Sequence, residues 1–148
     1  MPPALVLYDG VCGLCNRFVQ FILRRDHAEF FRFASLQSPL AARILERQGG
    51  TARGFETMCV VTSFDPAQKE SRELLPEEHL LLRAEAAEFV LSHLSSPYPF
   101  FARVLHLLPR PISDWGYGLV ARHRHKIFGR YESCPLPDPE TRTRFLDL

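Results

Sequence analysis

The chain has 148 residues, of which 46% are hydrophobic, and a formal net charge of +1. This length accommodates one domain with a sizeable core, and the near-neutral charge gives no basis for binding nucleic acid or an anionic membrane. Residues 1–7 lack the basic and apolar regions of a signal peptide, and no apolar run approaches the ~20 residues of a membrane helix. Four cysteines are too few for a disulfide-stapled fold. We therefore expect a cytoplasmic protein with no membrane and no nucleic-acid partner.

The segment 5–23, LVLYDGVCGLCNRFVQFIL, predicts a strand followed directly by a helix. Its first four residues are continuously apolar or aromatic, which is typical of a strand buried on both faces. Asp9 and Gly10 then interrupt the run and form a turn. From Asn16 onward, apolar residues recur at helical spacing. Cys12 and Cys15 are therefore predicted at the N-terminus of a helix that follows a buried strand.

This position of Cys12 and Cys15 favours redox chemistry over a structural role. The first helical turn has unpaired backbone N–H groups and the positive end of the helix dipole, and a cysteine there can have its pKa lowered from about 8.5 to about 3.5–7.5. We expect Cys12 to be the exposed sulfur that attacks a disulfide, and Cys15, about one turn deeper, to resolve the mixed disulfide. The substrate would be a disulfide-containing protein or small thiol compound, and an external thiol reductant would restore the dithiol. No bound cofactor or metal is needed.

Two other uses of the CxxC motif remain open. A zinc site needs about four ligands, and Cys12 and Cys15 could be joined by Cys134 with His123 or His125. The chain has no second CxxC or closely spaced Cys/His pair with the common zinc spacing. The third alternative is a redox-inert interaction module that no longer uses its CxxC.

Asp9, three residues before Cys12, has two candidate roles. Its carboxylate can accept hydrogen bonds from the N–H groups of Val11 or Cys12 and so shape the loop, which is the interpretation we favour. Alternatively, it accepts or relays the proton of Cys15 when the mixed disulfide is resolved. Cys134 is a candidate additional resolving thiol, although a packed, inert cysteine is more common.

The chain continues to alternate between strand and helix signals. Residues 30–36, FFRFASL, predict a second strand, and Ser38 and Pro39 are typical of the N-cap and first position of a helix that Gly49 ends. These first four elements are typical of a parallel α/β sheet. The remaining core elements are two strands, 57–64 and 79–83, and a helix over 85–93. Cys59, in the third strand, is interpreted as a core residue.

Residues 96–148 predict a helical extension and an extended tail, packed on a core of residues 1–95 within a single domain. An amphipathic helix covers 100–108 and is ended by Pro109 and Pro111. Ser113 or Asp114 is a predicted N-cap for a further helix that runs to Phe128 and stops at Gly129. Its predicted core face consists of Trp115, Leu119, Val120 and Ile127.

The cations and histidines between residues 122 and 130 are most simply a solvated basic face. The alternative is a patch for an anion or an acidic partner.

A CxxC at the start of the first helix of a β-α-β-α-β-β-α pattern resembles the thioredoxin-like fold. In that fold a proline, usually in the cis form, precedes the third strand beside the dithiol. Residues 55–58 contain no proline, and Met58 or Thr57 is expected to take its place.

The chain also resembles the DCC family of predicted thiol-disulfide oxidoreductases, named for its D-x-x-C-x-x-C motif. Here the motif consists of Asp9, Cys12 and Cys15 in YDGVCGLCN. Residues 31–38 and 144–146 also look like family segments. So does the C-terminal region, through Arg110, Asp114, Tyr117, Ala121, Arg122, Arg124, Phe128, Gly129, Cys134 and Pro137. His123 and His125 depart from the family pattern. The resemblance implies an α/β, thioredoxin-like fold and thiol-disulfide oxidoreductase activity.

Overall fold

The computed structural model of the chain describes residues 2–49, 58–70, 76–130 and 137–147. Within these residues, four strands form one sheet, accompanied by five α-helices. In chain order they are β1 (Ala4–Tyr8), α1 (Gly13–Arg25), β2 (Phe31–Ser35), α2 (Pro39–Arg47), β3 (Cys59–Thr62), β4 (His79–Leu82), α3 (Arg83–His93), α4 (Tyr98–Leu107) and α5 (Arg110–Phe128). This order confirms the predicted α/β, thioredoxin-like β-α-β-α-β-β-α core with its C-terminal helical extension.

The sheet is mixed and has the strand order β2-β1-β3-β4. β1 runs parallel to β2, with Val6 opposite Phe33, and antiparallel to β3, with Val6 opposite Val60. β3 and β4 are also antiparallel. The expectation of a parallel sheet therefore holds for β1 and β2 alone, because β3 and β4 pair as neighbouring antiparallel strands that need no crossover helix.

β1 is buried on both faces, as predicted, and its alternating side chains contact two separate apolar layers. Val6 and Tyr8 belong to the layer that contains Val19 and Ile22 of α1. Leu5 and Leu7 belong to the layer that contains Ile44 and Leu45 of α2. The central strand therefore fixes the position from which the loop to α1 starts.

Local signals place the start of α2 where the sequence predicts it. The Ser38 hydroxyl oxygen accepts the Ala41 N–H at 3.1 Å, and Pro39 occupies the first helical position. Gly49, just beyond the helix, has a positive φ of 80°, which glycine adopts without strain.

The helical extension packs on the core through α3. Both α4 and α5 contact α3, and α5 also contacts α1. α5 begins at Arg110, before the predicted caps Ser113 and Asp114, because Pro111 fits in the first turn. Its predicted end at Gly129 is confirmed, with φ at 78°. The division into residues 1–95 and 96–148 stays a prediction.

The predicted core face of α5 is wrong. Its four residues are all exposed: Trp115, Leu119, Val120 and Ile127. Ser113 and Arg124 are buried instead. Trp115 and Leu119 lie on the far side of the helix from them, whereas Val120 and Ile127 are exposed beside Arg124. Apolar periodicity shows which residues share a helix face, but it does not show whether another element covers that face.

None of the helices in the described ranges is both long enough and apolar enough to cross a membrane.

Candidate active site

Both cysteines of the CxxC motif lie at the junction of β1 and α1. Cys12 directly precedes α1 and has extended backbone angles. Its carbonyl accepts the Asn16 N–H at 3.1 Å, which is the first hydrogen bond of the helix. Cys15 lies in the first turn, and both residues are free thiols. The structure thus places the dithiol at a helix N-terminus, as the sequence predicts.

Two amides that the sequence analysis did not select hold the loop before Cys12. The Asn16 side-chain amide donates to the Gly10 carbonyl at 2.8 Å and to the Cys12 carbonyl at 2.9 Å. The Gly10 N–H donates to the Gln37 side-chain oxygen at 3.1 Å. The available sequence signal was the polar Asn16 directly after the motif, because a side-chain amide beside a turn can bond its backbone.

The Asp9 carboxylate is buried and has three hydrogen-bond donors around it. Its Oδ1 accepts the Val11 N–H at 3.2 Å and the Gln37 amide at 2.8 Å. Its Oδ2 lies 3.4 Å from Nη2 of Arg124. The contact with Val11 is the one expected for the loop-shaping role. A proton relay between Asp9 and Cys15 stays a hypothesis.

Arg124 is the main functional candidate that the sequence analysis missed. The interpretation of residues 122–130 as a solvated basic face holds for Arg122 and Lys126, which are exposed, but is wrong for Arg124, which is buried against Asp9. A buried guanidinium requires a carboxylate partner. The sequence signal was indirect: the family-like C-terminal region contains Arg124, and the motif contains an acid.

The expectation that Cys12 is the exposed sulfur is wrong for this structure. Cys12 is 0% exposed and Cys15 is 6% exposed. The cause is the end of α5: Cys12 forms a β-bridge with Arg130, and the Gly13 N–H donates to the Gly129 carbonyl at 3.1 Å. One of the helix N–H groups expected to stabilise a thiolate is therefore already bonded.

Gly13 is required for this close approach between α1 and α5. A Cβ atom at position 13 would lie 2.1 Å from the Phe128 carbonyl oxygen. Such a separation is far shorter than a van der Waals contact, so any larger residue would displace the end of α5. The first residue between the two cysteines therefore has a steric role that CxxC spacing alone does not reveal.

Cys15 is held as a neutral thiol. Burial raises the pKa of Cys15 to about 12, and the charge and hydrogen bond of Cys12 act in the same direction. A hydrogen bond with the Asp9 backbone and the positive charge of Arg124 lower this pKa, but they do not offset the burial. At neutral pH, Cys15 therefore keeps its proton beside Cys12.

A cavity of about 190 Å³ adjoins Cys15. Apolar side chains from α1, α3 and α5 line most of it, and Arg124 supplies its cationic group. Met58 also lines the cavity, which agrees with the expectation that this residue lies beside the dithiol. Thr57, the other residue considered for that place, lies outside the described residues.

The other cysteines and the histidines are relevant to the two alternatives of a zinc site and an additional resolving thiol. Cys59 is buried in β3, as predicted, and burial raises its pKa to about 12. Cys134 lies outside the described residues, so its role as a resolving thiol stays a hypothesis. Among the residues that the structure describes, no cluster of three or more His, Cys, Asp or Glu side chains could hold a metal ion. His123 and His125 lie on α5.

Together, the fold and this site define an α/β protein with a D-x-x-C-x-x-C dithiol at a strand–helix junction. A family model described as DCC1-like thiol-disulfide oxidoreductase matches residues 6–130. The chain belongs to this family, which confirms the resemblance drawn from the motif. The family name indicates a thiol-disulfide oxidoreductase.

Two curated relatives match most of the chain. It is 32% identical to the uncharacterized protein YuxK of Bacillus subtilis (strain 168), over 99% of this chain and 96% of the relative. It is 30% identical to a chloroplastic DCC family protein of Arabidopsis thaliana, over 89% of this chain and 69% of that protein. No significant match was found among solved structures. Neither relative's name specifies a substrate.

Proposed function

We propose that the protein is an enzyme that exchanges its Cys12–Cys15 dithiol with the disulfide of a protein or small thiol compound. The observation that supports this most directly is the pairing of two free thiols at the N-terminus of α1, Cys12 directly before the helix and Cys15 in its first turn. Family membership supports the same reaction class. The cytoplasm, whose reducing poise keeps such a dithiol reduced, is the proposed location.

In the proposed reaction, the Cys12 thiolate attacks one sulfur of the substrate disulfide. A bond forms between the Cys12 sulfur and that sulfur, and the second substrate sulfur leaves as a thiolate that takes up a proton. Cys15 then loses its proton and attacks the Cys12 sulfur, which releases the first substrate sulfur. The substrate gains two electrons, and the Cys12–Cys15 disulfide is reduced again by an external thiol.

The electrostatics of the site support this assignment of nucleophile and resolving thiol. Since the pKa of Cys15 is raised to about 12, Cys15 keeps its proton until the mixed disulfide has formed, which suits the resolving thiol. Arg124 lowers the pKa of Cys15 and so opposes the effect of burial when that proton leaves. Within the described residues, Nε of Arg124 has no hydrogen-bond partner, so it offers a donor for charge that develops near the cavity.

Exchange requires the Cys12 sulfur to become accessible. The cover over Cys12 includes a β-bridge to Arg130 and a hydrogen bond between Gly13 and Gly129. We therefore place a movement of the α5 end before the attack on substrate. Such local openings cost less than global unfolding where few contacts must break.

The test is reduction of insulin by dithiothreitol, catalysed by the wild-type protein and by Cys12→Ser, Cys15→Ser and Cys59→Ala. Wild type and Cys59→Ala, which changes a buried thiol outside the motif, should accelerate the reaction equally. Cys12→Ser should give only the uncatalysed rate. Equal rates for Cys12→Ser and wild type would remove the proposal, as would stoichiometric zinc bound to the motif in protein purified without chelator.

A further inference from the structure

The two consecutive helices α4 and α5 each expose large apolar residues. On α4 and at its C-cap, Leu108, they recur at one-turn spacing, opposite the buried Ala102: Phe100, Phe101, Val104, Leu107 and Leu108. Leu107 is 82% exposed. Because these residues share one face, α4 is amphipathic with its apolar side turned toward solvent.

α5 has an exposed stripe of its own, whose chemistry changes along the helix. Five exposed residues recur at intervals of three and four, opposite Ser113 and Arg124: Ile112, Trp115, Leu119, Arg122 and Lys126. The first three are apolar and the last two are cationic. We call this stripe, together with the apolar side of α4, the α4–α5 face.

The charge of this region differs sharply from that of the rest of the chain. Residues 98–130 contain six of the 18 Lys and Arg residues but one of the 17 Asp and Glu residues. Their formal charge is therefore +5, whereas the remaining residues carry −4. Two of the six cations pair with carboxylates outside this segment, Arg110 with Glu88 and the buried Arg124 with Asp9. The other four are exposed: Arg103, Arg122, Lys126 and Arg130. The net charge of +1 hides this separation, and the expectation of no membrane partner was based on that net value.

We propose that the α4–α5 face binds the surface of a bilayer that contains anionic lipids. Exposed apolar and aromatic side chains beside Lys and Arg are the features of interfacial helices, and tryptophan is favoured at the membrane–water boundary. Leu107 and Trp115 border shallow surface depressions, but at 82% and 69% exposed each projects most of its side chain into solvent. A bilayer can accept such side chains without a complementary pocket. A second copy pairing through the same face would bring like charges into one interface.

Trp115 makes the proposal directly measurable. It is the single tryptophan of the chain, so the intrinsic emission reports on this face alone. Full-length protein should sediment with vesicles of phosphatidylcholine and phosphatidylglycerol, with a blue shift of Trp115 emission. The affinity for vesicles of phosphatidylcholine alone should be at least about tenfold lower. Added salt should weaken binding to the anionic vesicles.

Variants separate the apolar and the charged contributions. Leu107→Ser should reduce the bound fraction, and Ile112→Ser provides the same test if that variant does not fold. Arg122→Gln combined with Lys126→Gln should weaken binding about thirtyfold. The matched control, Arg24→Gln with Arg142→Gln, removes two exposed cations elsewhere and should weaken it by less than about twofold.

Three results would overturn the proposal. They are an unchanged Trp115 emission with anionic vesicles, equal binding to both vesicle types, and a stable dimer without lipid that Leu107→Ser converts to a monomer. The proposal does not depend on the thiol chemistry, because insulin reduction by Leu107→Ser should match that of the wild type whichever way the vesicle experiment turns out.

Discussion

The β1–α1 junction and the α4–α5 face contrast in which residues are buried: a carboxylate and two thiols at the junction are buried, whereas large apolar side chains on the face are exposed. At the junction, Asp9 and both cysteines of the motif are buried, and Asp9 pairs with Arg124 of α5. On the α4–α5 face, aromatic and aliphatic side chains are exposed although their spacing is that of a core helix. The difference teaches that burial at the site depends on partners distant in sequence, whereas amphipathic spacing alone does not bury a face.

Matched phenylalanine substitutions should show the contrast most strongly. Phe33 is fully buried between β1 and the end of the chain, whereas Phe100 is 64% exposed on α4. Phe33→Ala should lower the free energy of unfolding by about 3–5 kcal/mol. Phe100→Ala should change it by less than about 0.5 kcal/mol. Urea denaturation measures both, and equal losses would show that α4 is covered in solution.

Arg124 and Arg122 of α5 allow a buried and an exposed cation to be compared in the same way. Arg124→Leu leaves the Asp9 carboxylate buried without its cation and should cost about 2–4 kcal/mol of unfolding free energy. Arg122→Leu removes an exposed cation two residues away and should cost less than about 0.5 kcal/mol. Urea denaturation measures both variants. If Arg124→Leu lowers the free energy of unfolding no more than Arg122→Leu does, the buried Asp9–Arg124 pair is contradicted.

Glycine-to-alanine substitutions test the close approach of α5 to α1. Gly13→Ala forces a Cβ against the Phe128 carbonyl and should cost about 1–3 kcal/mol, with faster alkylation of Cys12. Gly118→Ala, within α5, meets nothing within 4 Å and should stabilise the helix by about 0.5–1 kcal/mol. Unchanged stability and unchanged labelling of Cys12 in Gly13→Ala would argue against a cover formed by α5.

Alkaline pH should destabilise the protein through its buried thiols. Burial raises the pKa of Cys15 and of Cys59 from 9.0 to about 12. Between these values the unfolded chain releases protons that the folded protein keeps, so the free energy of unfolding falls as pH rises. Each thiol lowers the free energy of unfolding by up to about 1.4 kcal/mol per pH unit in this range, and has no such effect well below pH 9.

Denaturant titrations on both sides of pH 9 measure this dependence. Cys59→Ala serves as the control and should reduce the slope, because one of the two thiols is then absent. A free energy of unfolding that does not change above pH 9 would contradict the burial of these thiols.

Local sequence signals were sufficient for the element order and for the place of the dithiol. The apolar run before Asp9 identifies β1, and the Ser38–Pro39 pair identifies the start of α2, because each signal lies within a few residues of its effect. Cys12 and Cys15 follow from the same local reasoning. The D-x-x-C-x-x-C motif then identified the family.

The features that the sequence did not predict depend on tertiary contacts. Asp9 and Arg124 are 115 residues apart in sequence, and no local pattern distinguishes Arg124 from the exposed Arg122. The cover over Cys12 depends on the α5 end meeting Gly13. Periodicity identified the apolar stripe of α5 but assigned it to the core, since a helix sequence does not record which neighbours are present.

Trapping the mixed disulfide tests the central claim most directly, because it identifies the sulfur that attacks. Cys15→Ser and Cys12→Ser variants, incubated with glutathione disulfide, are analysed by mass spectrometry of their peptides. The account predicts a stable glutathione adduct on Cys12 in Cys15→Ser and no comparable adduct on Cys15 in Cys12→Ser, because burial, the largest cause of the raised pKa of Cys15, persists in that variant. Equally fast modification of Cys15, or no adduct on Cys12 at all, would contradict it.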